Sequence, residues 1–229
     1  EREYTRLTFL VGASVTESLG NFAVSKRILP PGKSWIASAT KYTPLLQNLN
    51  ETTSAPDSYS DPTYLRDLDI CMDPGLVHER AVIKEGSTMT GMLALTRLLR
   101  KALKDFDESN QEKSPRVVVF FPSEAEAKGA ISLLRDAVWG DHKVCVLLPE
   151  TGVDPIKMME EFVDGKTSVM IATPNSVRGL DFPDLTHVYT LYLPLDDKRE
   201  YVHLAGRVGR VGQVGSKQGG GGRVVSILR

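Results

Sequence analysis

From Asp73-Pro74-Gly75 onward, short apolar runs alternate with amphipathic stretches, and this alternation constrains the fold more than any other feature of the chain. LVHERAVIK reads as a strand. TMTGMLALTRLLRKAL reads as a helix, with Met89, Met92, Leu93, Leu95, Leu99 and Leu103 near helical spacing. DESNQEKSP is a solvated turn, RVVVFF a buried strand and SEAEAKGAISLLRDAV a helix opened by a capping box, Ser123 with Glu126. HKVCVLL is a strand, DPIKMMEEFV a helix with Pro155 in its first turn, and TSVMIAT and LTHVYTLYLP are strands. DKREYVHLAGR is a helix and GRVVSIL a last strand. Strands alternating with helices predict an α/β fold, a parallel sheet with helices on both faces. Ligands of such sheets sit outside the carboxyl ends of the strands. The loops after RVVVFF, HKVCVLL and TSVMIAT, together with the GRVGR segment, are therefore the candidate functional edge.

The first third reads differently. RLTFLVGAS (residues 6–14) suggests a buried strand. TESLGNFAVSKRIL reads as a helix capped by Thr16, with Leu19, Phe22, Ala23 and Ile28 as a rough apolar face, and LPPGKSW breaks it. Residues 33–68, rich in Ser, Thr, Pro, Asp and Asn, read as a loop or linker with room for one short helix in KYTPLLQNL. Charge and cysteine usage narrow the function classes. The 229 residues carry a formal net charge of −1, so nucleic acid would have to be held by a local patch. Two distant cysteines, Cys71 and Cys145, make neither a disulfide framework nor a zinc spacing and fit a reducing compartment. No apolar run reaches membrane-spanning length, so no membrane association is expected. EREYTRLTFLVGAS is no signal peptide and enters almost directly into a strand, as at an internal boundary.

The stretch VHLAGRVGRVGQVG (residues 202–215) spaces Arg207 and Arg210 three apart among Gly206, Gly209, Gly212 and Gly215. Glycine is useful where backbone passes close to something, and the arginine fork suits phosphate. Alone, the segment is equally a basic surface turn. It gains weight from what precedes it: FLVGAS, RVVVFFPS and VMIATPNSVRGLDFPDLTHVYTLYLP, in that order. Together these resemble the second half of a DEAD-box RNA helicase. The family's fifth motif, Ala-Thr-Asp-x-x-x-Arg-Gly-x-Asp, is matched by ATPNSVRGLD (residues 172–181). Its sixth, His-Arg-x-Gly-Arg-x-Gly-Arg, is matched by HLAGRVGR (residues 203–210). Gly12-Ala13-Ser14 looks like the family's Ser-Ala-Thr motif.

The resemblance implies a RecA-like parallel sheet with helices on both faces. It divides the chain into the tail of a first RecA-like domain (1–30), a linker or insertion (31–72) and a whole second domain (73–229). The family's two domains close over ATP and single-stranded RNA. No Gly-x-x-x-x-Gly-Lys-Thr occurs in the chain. The ATP phosphates and Mg2+ would thus be held mainly by the other, N-terminal RecA-like domain, and the fragment alone would be inactive. By the same resemblance, Arg207 and Arg210 are arginine fingers for ATP, and His203 bridges motifs beside them. Gly179 and Asp181 lie on the nucleotide side, Asp181 accepting from the ribose. Ser14 and Arg178 couple the domains, and Ser123 and Thr173 meet the RNA backbone. For each a plainer role stays open. Ser123 is equally an N-cap, Asp181 a turn residue, Arg178 a surface ion-pair partner and His203 a partly buried helix histidine.

Departures from the pattern fall on the RNA side. GVDP (residues 152–155) stands where the family carries Gln-x-x-Arg, LLP (147–149) where it carries Leu-His-Gly, Pro174 where it has aspartate and Leu204 where it has arginine. Sparse aromatics suit backbone-directed binding of single-stranded or duplex RNA. The first expectation is therefore an ATP-dependent RNA helicase or RNA–protein remodeller, acting as a monomer. The alternative is a non-enzymatic RNA-binding or ribosome-assembly scaffold retaining the fold, and a DNA helicase domain of the same superfamily is a third reading. An intracellular setting is expected, chloroplast or mitochondrion ahead of cytoplasm or nucleus.

Overall fold

The computed structural model describes residues 17–37, 42–44, 75–84, 88–109, 115–149, 152, 154–182, 184–193, 198–208 and 222–229. The chain divides into two units, Glu1–Met72 and Asp73–Arg229. The strand expected at residues 6–14 lies outside the described residues.

In the first unit, helix α1 spans Glu17–Ser25. It ends earlier than its sequence pattern suggests. Arg27 adopts a left-handed conformation (φ 57°). The Ile28 N–H then donates to the Ala23 carbonyl, and the Arg27 N–H to Val24. This is a Schellman closure, with arginine where glycine is usual. Ile28 is thereby turned out of the apolar face and is 53% exposed. The segment read as a linker holds an antiparallel ribbon, β1 (Trp35–Ala37) with β2 (Tyr42–Pro44). Residues 42–44 of KYTPLLQNL are thus strand rather than helix, as the β-branched and aromatic pair Tyr42-Thr43 favours.

The described residues of the second unit form one six-stranded parallel sheet. Its elements are β3 (Val77–Val82), α2 (Thr88–Glu108), β4 (Val117–Phe120), α3 (Glu124–Ala137), β5 (Val144–Leu147), α4 (Pro155–Val163), β6 (Val169–Ala172), β7 (His187–Leu191), α5 (Lys198–Ala205) and β8 (Arg223–Leu228). The strand order is β3-β8-β7-β4-β6-β5. Connections through α2 and α3 run towards β5, and those through α4 and α5 run back towards β3. Right-handed crossovers therefore put α2 and α3 on one face and α4 and α5 on the other. The pleat agrees. Val117, Val119, Phe121, Val169, Ile171, Tyr189, Leu191, Val225 and Ile227 share a core with the buried face of α2 and α3. On the other face Phe162 of α4 meets Phe182 edge-on, with ring centroids 6.4 Å apart.

Along α2 the core residues are Met92, Leu95, Leu99 and Leu103, each worth about 2 kcal/mol in removal from water. Met89 and Leu93, which the spacing also nominates, point outward at 56% and 50% exposure. The helix also runs on through Asp107 and Glu108, into the stretch read as a turn. Strand β3 is an edge strand paired only to β8 among the described residues, so its alternating pattern does not mark a buried face. No described helix is long and apolar enough to cross a membrane.

Candidate nucleotide and nucleic-acid edge

Strands β4 and β6 are neighbours, with Phe120 opposite Ala172. The chain leaves β4 towards the α2–α3 face and leaves β6 towards the other. Divergence of adjacent connections opens a crevice at the carboxyl edge, the place where such sheets take ligands. Ser123 and Thr173 flank it.

Ser123 is the N-cap of α3, with extended backbone (φ −140°, ψ 159°). Its hydroxyl accepts from the Glu126 N–H at 3.3 Å and donates to the Glu126 carboxylate at 3.2 Å. The capping box is thus closed side chain to side chain. Glu124 and Glu126 occupy the amino end of the helix, where an incoming phosphate would otherwise find the positive pole. Thr173 is 4% exposed. Its hydroxyl accepts from the Ser176 N–H at 3.3 Å, and its own N–H donates to the Ser176 hydroxyl at 3.0 Å. Thr173 therefore builds the turn, and the exposed residue at its tip is Asn175.

The rest of this turn explains the motif spacing. Val177 is buried and anchors it. The Leu180 N–H donates to the Val177 carbonyl at 3.1 Å. Gly179 then takes φ +78°, a conformation that favours glycine; space is not the constraint there, since an added Cβ would meet nothing within 4 Å. Phe182 is fully buried. Asp181 is held exposed between Leu180 and this second anchor, with Arg178 exposed on the turn.

Arg207 follows α5. Its Nη1 donates to the Leu180 carbonyl at 2.6 Å. The fold thus brings the two motifs together: an arginine of the sixth sits on the backbone of the fifth, between Gly179 and Asp181. Leu204 and Val208 flank it in sequence and are buried, at 2% and 1% exposure. Gly206 is required for an internal reason, since a Cβ there would lie 2.9 Å from the Val202 carbonyl oxygen. The close approach that glycine permits is to its own helix. His203 is exposed on α5, not partly buried. Ser14 and Arg210 lie outside the described residues.

One residue at this edge has no counterpart among those the motifs nominate. Tyr192, just past β7, has φ +58°. That conformation costs a bulky residue about 1–2 kcal/mol. It breaks the strand alternation, so Leu191 and Tyr192 both face α2. An added Cβ on Gly91 would lie 2.0 Å from the Tyr192 hydroxyl, so the glycine is a seat for the ring. Glycine inside a helix costs about 1 kcal/mol relative to alanine. The Arg229 guanidinium stacks over the same ring, 4.2 Å from its centroid. The signal available in sequence was the lone glycine inside a strong helical pattern.

The groups with perturbed proton affinity are not those the motifs nominate; one of them, the Tyr201 phenol on α5, is raised by burial. Burial, helped by Arg223, pushes His187 down to about 4. Burial raises the Cys145 thiol to about 11 and raises the Tyr189 phenol. Cys145 and Tyr189 are core positions and His187 is half-buried at the start of β7, so these shifts mark packing rather than a catalytic acid or base. No cluster of metal-ligating side chains occurs among the described residues.

The profile of the family described as "Helicase conserved C-terminal domain" matches residues 94–212, more than half of the chain. The ATP-dependent RNA helicase RhlB of Histophilus somni is 45% identical over 86 residues, which are 35% of this chain and 20% of that protein. RhlB of Actinobacillus succinogenes is 43% identical over 60 residues, 26% of this chain and 14% of that protein. The chain matches only a minor part of these relatives' length. Among solved structures, Mss116p bound to ssRNA and AMP-PNP has a TM-score of 0.57 and 19% identity, covering 69% of this chain and 28% of that one. That is a likeness of fold.

Proposed function

This chain belongs to the helicase conserved C-terminal domain family and its sheet is RecA-like, and on that premise we propose that it is the C-terminal half of an ATP-dependent RNA helicase or RNA–protein remodeller. The observation that carries the reading is the Arg207–Leu180 contact. It places a fixed positive charge beside Gly179 and Asp181, as half of a nucleotide site completed by a second domain would require. In this reading Arg207 and Arg210 face the phosphates, and Asp181 accepts from the ribose. ATP supplies the phosphoryl group whose transfer drives the cycle. The arginines supply charge where the phosphate oxygens gain it. Arg178 and His203 tie the domain to its partner domain.

The test is RNA-stimulated ATP hydrolysis. The full-length protein is expected to turn over ATP faster when single-stranded RNA is added, and the 229-residue chain is expected to release phosphate no faster than buffer. Turnover by the chain alone would overturn the two-domain reading.

Leu204 favours a second reading. Where the sixth motif carries an arginine, this chain buries a leucine in its core, and the amino end of α3 is occupied by its own glutamates. An RNA-binding scaffold that keeps the fold would tolerate both. A full-length protein that binds RNA without hydrolysing ATP decides for it.

A further inference from the structure

We propose that the carboxyl ends of β7, β8 and β3 form a second seat for single-stranded RNA, in which a base stacks on the Arg229 guanidinium backed by the Tyr192 ring. The inference rests on the reading of this chain as an RNA-binding helicase half, and moves the contact away from the β4–β6 crevice. Register puts the three strand ends side by side. The Tyr192 N–H donates to the Ile227 carbonyl at 2.8 Å, and the Ile83 N–H to Leu228 at 2.9 Å. Tyr192, Arg229 and Lys84 therefore emerge together, with Arg229 and Lys84 exposed.

Two local penalties maintain this arrangement: a tyrosine in left-handed backbone and a glycine within α2. Strained residues cluster where function requires a fixed side chain. A planar cation lying on an aromatic ring presents a flat, positive surface, the chemistry that takes a nucleobase on its plane and a phosphate at its edge. Stacking of this kind tolerates any base, as a helicase requires. Arg229 and Lys84 bring positive charge to this end of the edge, with Glu85 and the pair Asp196-Asp197 close to it in sequence.

The test is fluorescence anisotropy of a labelled oligouridine titrated with the 229-residue chain at low salt, with a thermal melt of every variant. Arg229→Gln and Tyr192→Asn are each expected to weaken binding about tenfold, within the range for loss of one stacked base. Arg229→Lys keeps the charge, loses the plane and is expected not to rescue. Asparagine tolerates left-handed backbone but loses the ring packed against Gly91, so Tyr192→Asn is expected to melt below the parent, and its affinity is read well below that melt. If the parent binds and both variants bind equally well, this seat is wrong and the RNA reading stands. A lowered melt with unchanged affinity would make Tyr192 a packing residue only and overturn the proposal. If Tyr192→Asn fails to fold, the exposed Arg229→Gln decides. A parent chain that binds no RNA removes the RNA-binding reading and this seat with it.

Discussion

The two ends of the same sheet use polar side chains in opposite ways. At the amino end they are spent on the protein itself. Arg116 donates to the Val163 carbonyl and pairs with Asp184, and its backbone exchanges hydrogen bonds with Thr186. His142 Nε2 donates to Asp107 at 3.0 Å, leaving Nδ1 to accept from the Ser168 hydroxyl at 3.1 Å. An Asp–His–Ser chain of this kind resembles a catalytic triad on paper, but Ser168 is 2% exposed and no substrate reaches it. At the carboxyl end Asn175, Arg178 and Asp181 are presented outward on turns whose fixed points are buried Val177 and Phe182. The difference teaches that a polar cluster marks a site only where the fold leaves it reachable.

The largest expected effect tests the reachable end. In the full-length protein, Arg207→Ala and Arg210→Ala should each cut ATP hydrolysis at saturating RNA by about 10³-fold, roughly 4 kcal/mol of barrier, while the domain stays folded. Turnover within a few-fold of the parent would show that Arg207 only braces Leu180, and would make the two ends alike.

The next effect belongs to the closed end. His187 is kept neutral in the fold, with its proton affinity lowered to about 4 from the ordinary 6.5, first by burial and then by Arg223. The unfolded chain takes up a proton at higher pH than the folded one. The stability His187 contributes is thus full above pH 6.5 and is lost as pH falls towards 4. The loss is on the order of 3 kcal/mol. His187→Gln should flatten this part of the stability–pH profile, measured by urea denaturation across that window. A parent and variant with parallel profiles would show that His187 takes its proton without unfolding.

The smallest effect concerns a decoy. Gly165-Lys166-Thr167 spells the end of a phosphate loop, yet it leads into β6 at the amino edge. There Lys166 pairs with Asp164 at 3.1 Å, both largely exposed. Lys166→Ala should change stability by less than about 0.5 kcal/mol and leave ATP hydrolysis of the full-length protein unchanged. A large loss of activity would mean that the amino edge, too, meets nucleotide.

What the sequence determined by itself was the succession of elements from β3 to β8 and the identity of the turn after β6. Apolar runs such as Val117–Phe120 can only be satisfied by burial on both faces, and Gly179 states its backbone conformation by being glycine. Both depend on neighbours within a few residues. What only the tertiary structure decided depends on residues far apart. Thr173 is spent on its own turn and Asn175 is displayed. Arg207 lies on Leu180, 27 residues away in sequence. Gly91 is a glycine because Tyr192 lies against it, and Ile28 is solvent-facing because Arg27 turns the helix off. The strand order that makes one end of the sheet open and the other closed is set by crossover handedness and by which runs find each other. No local pattern encodes either.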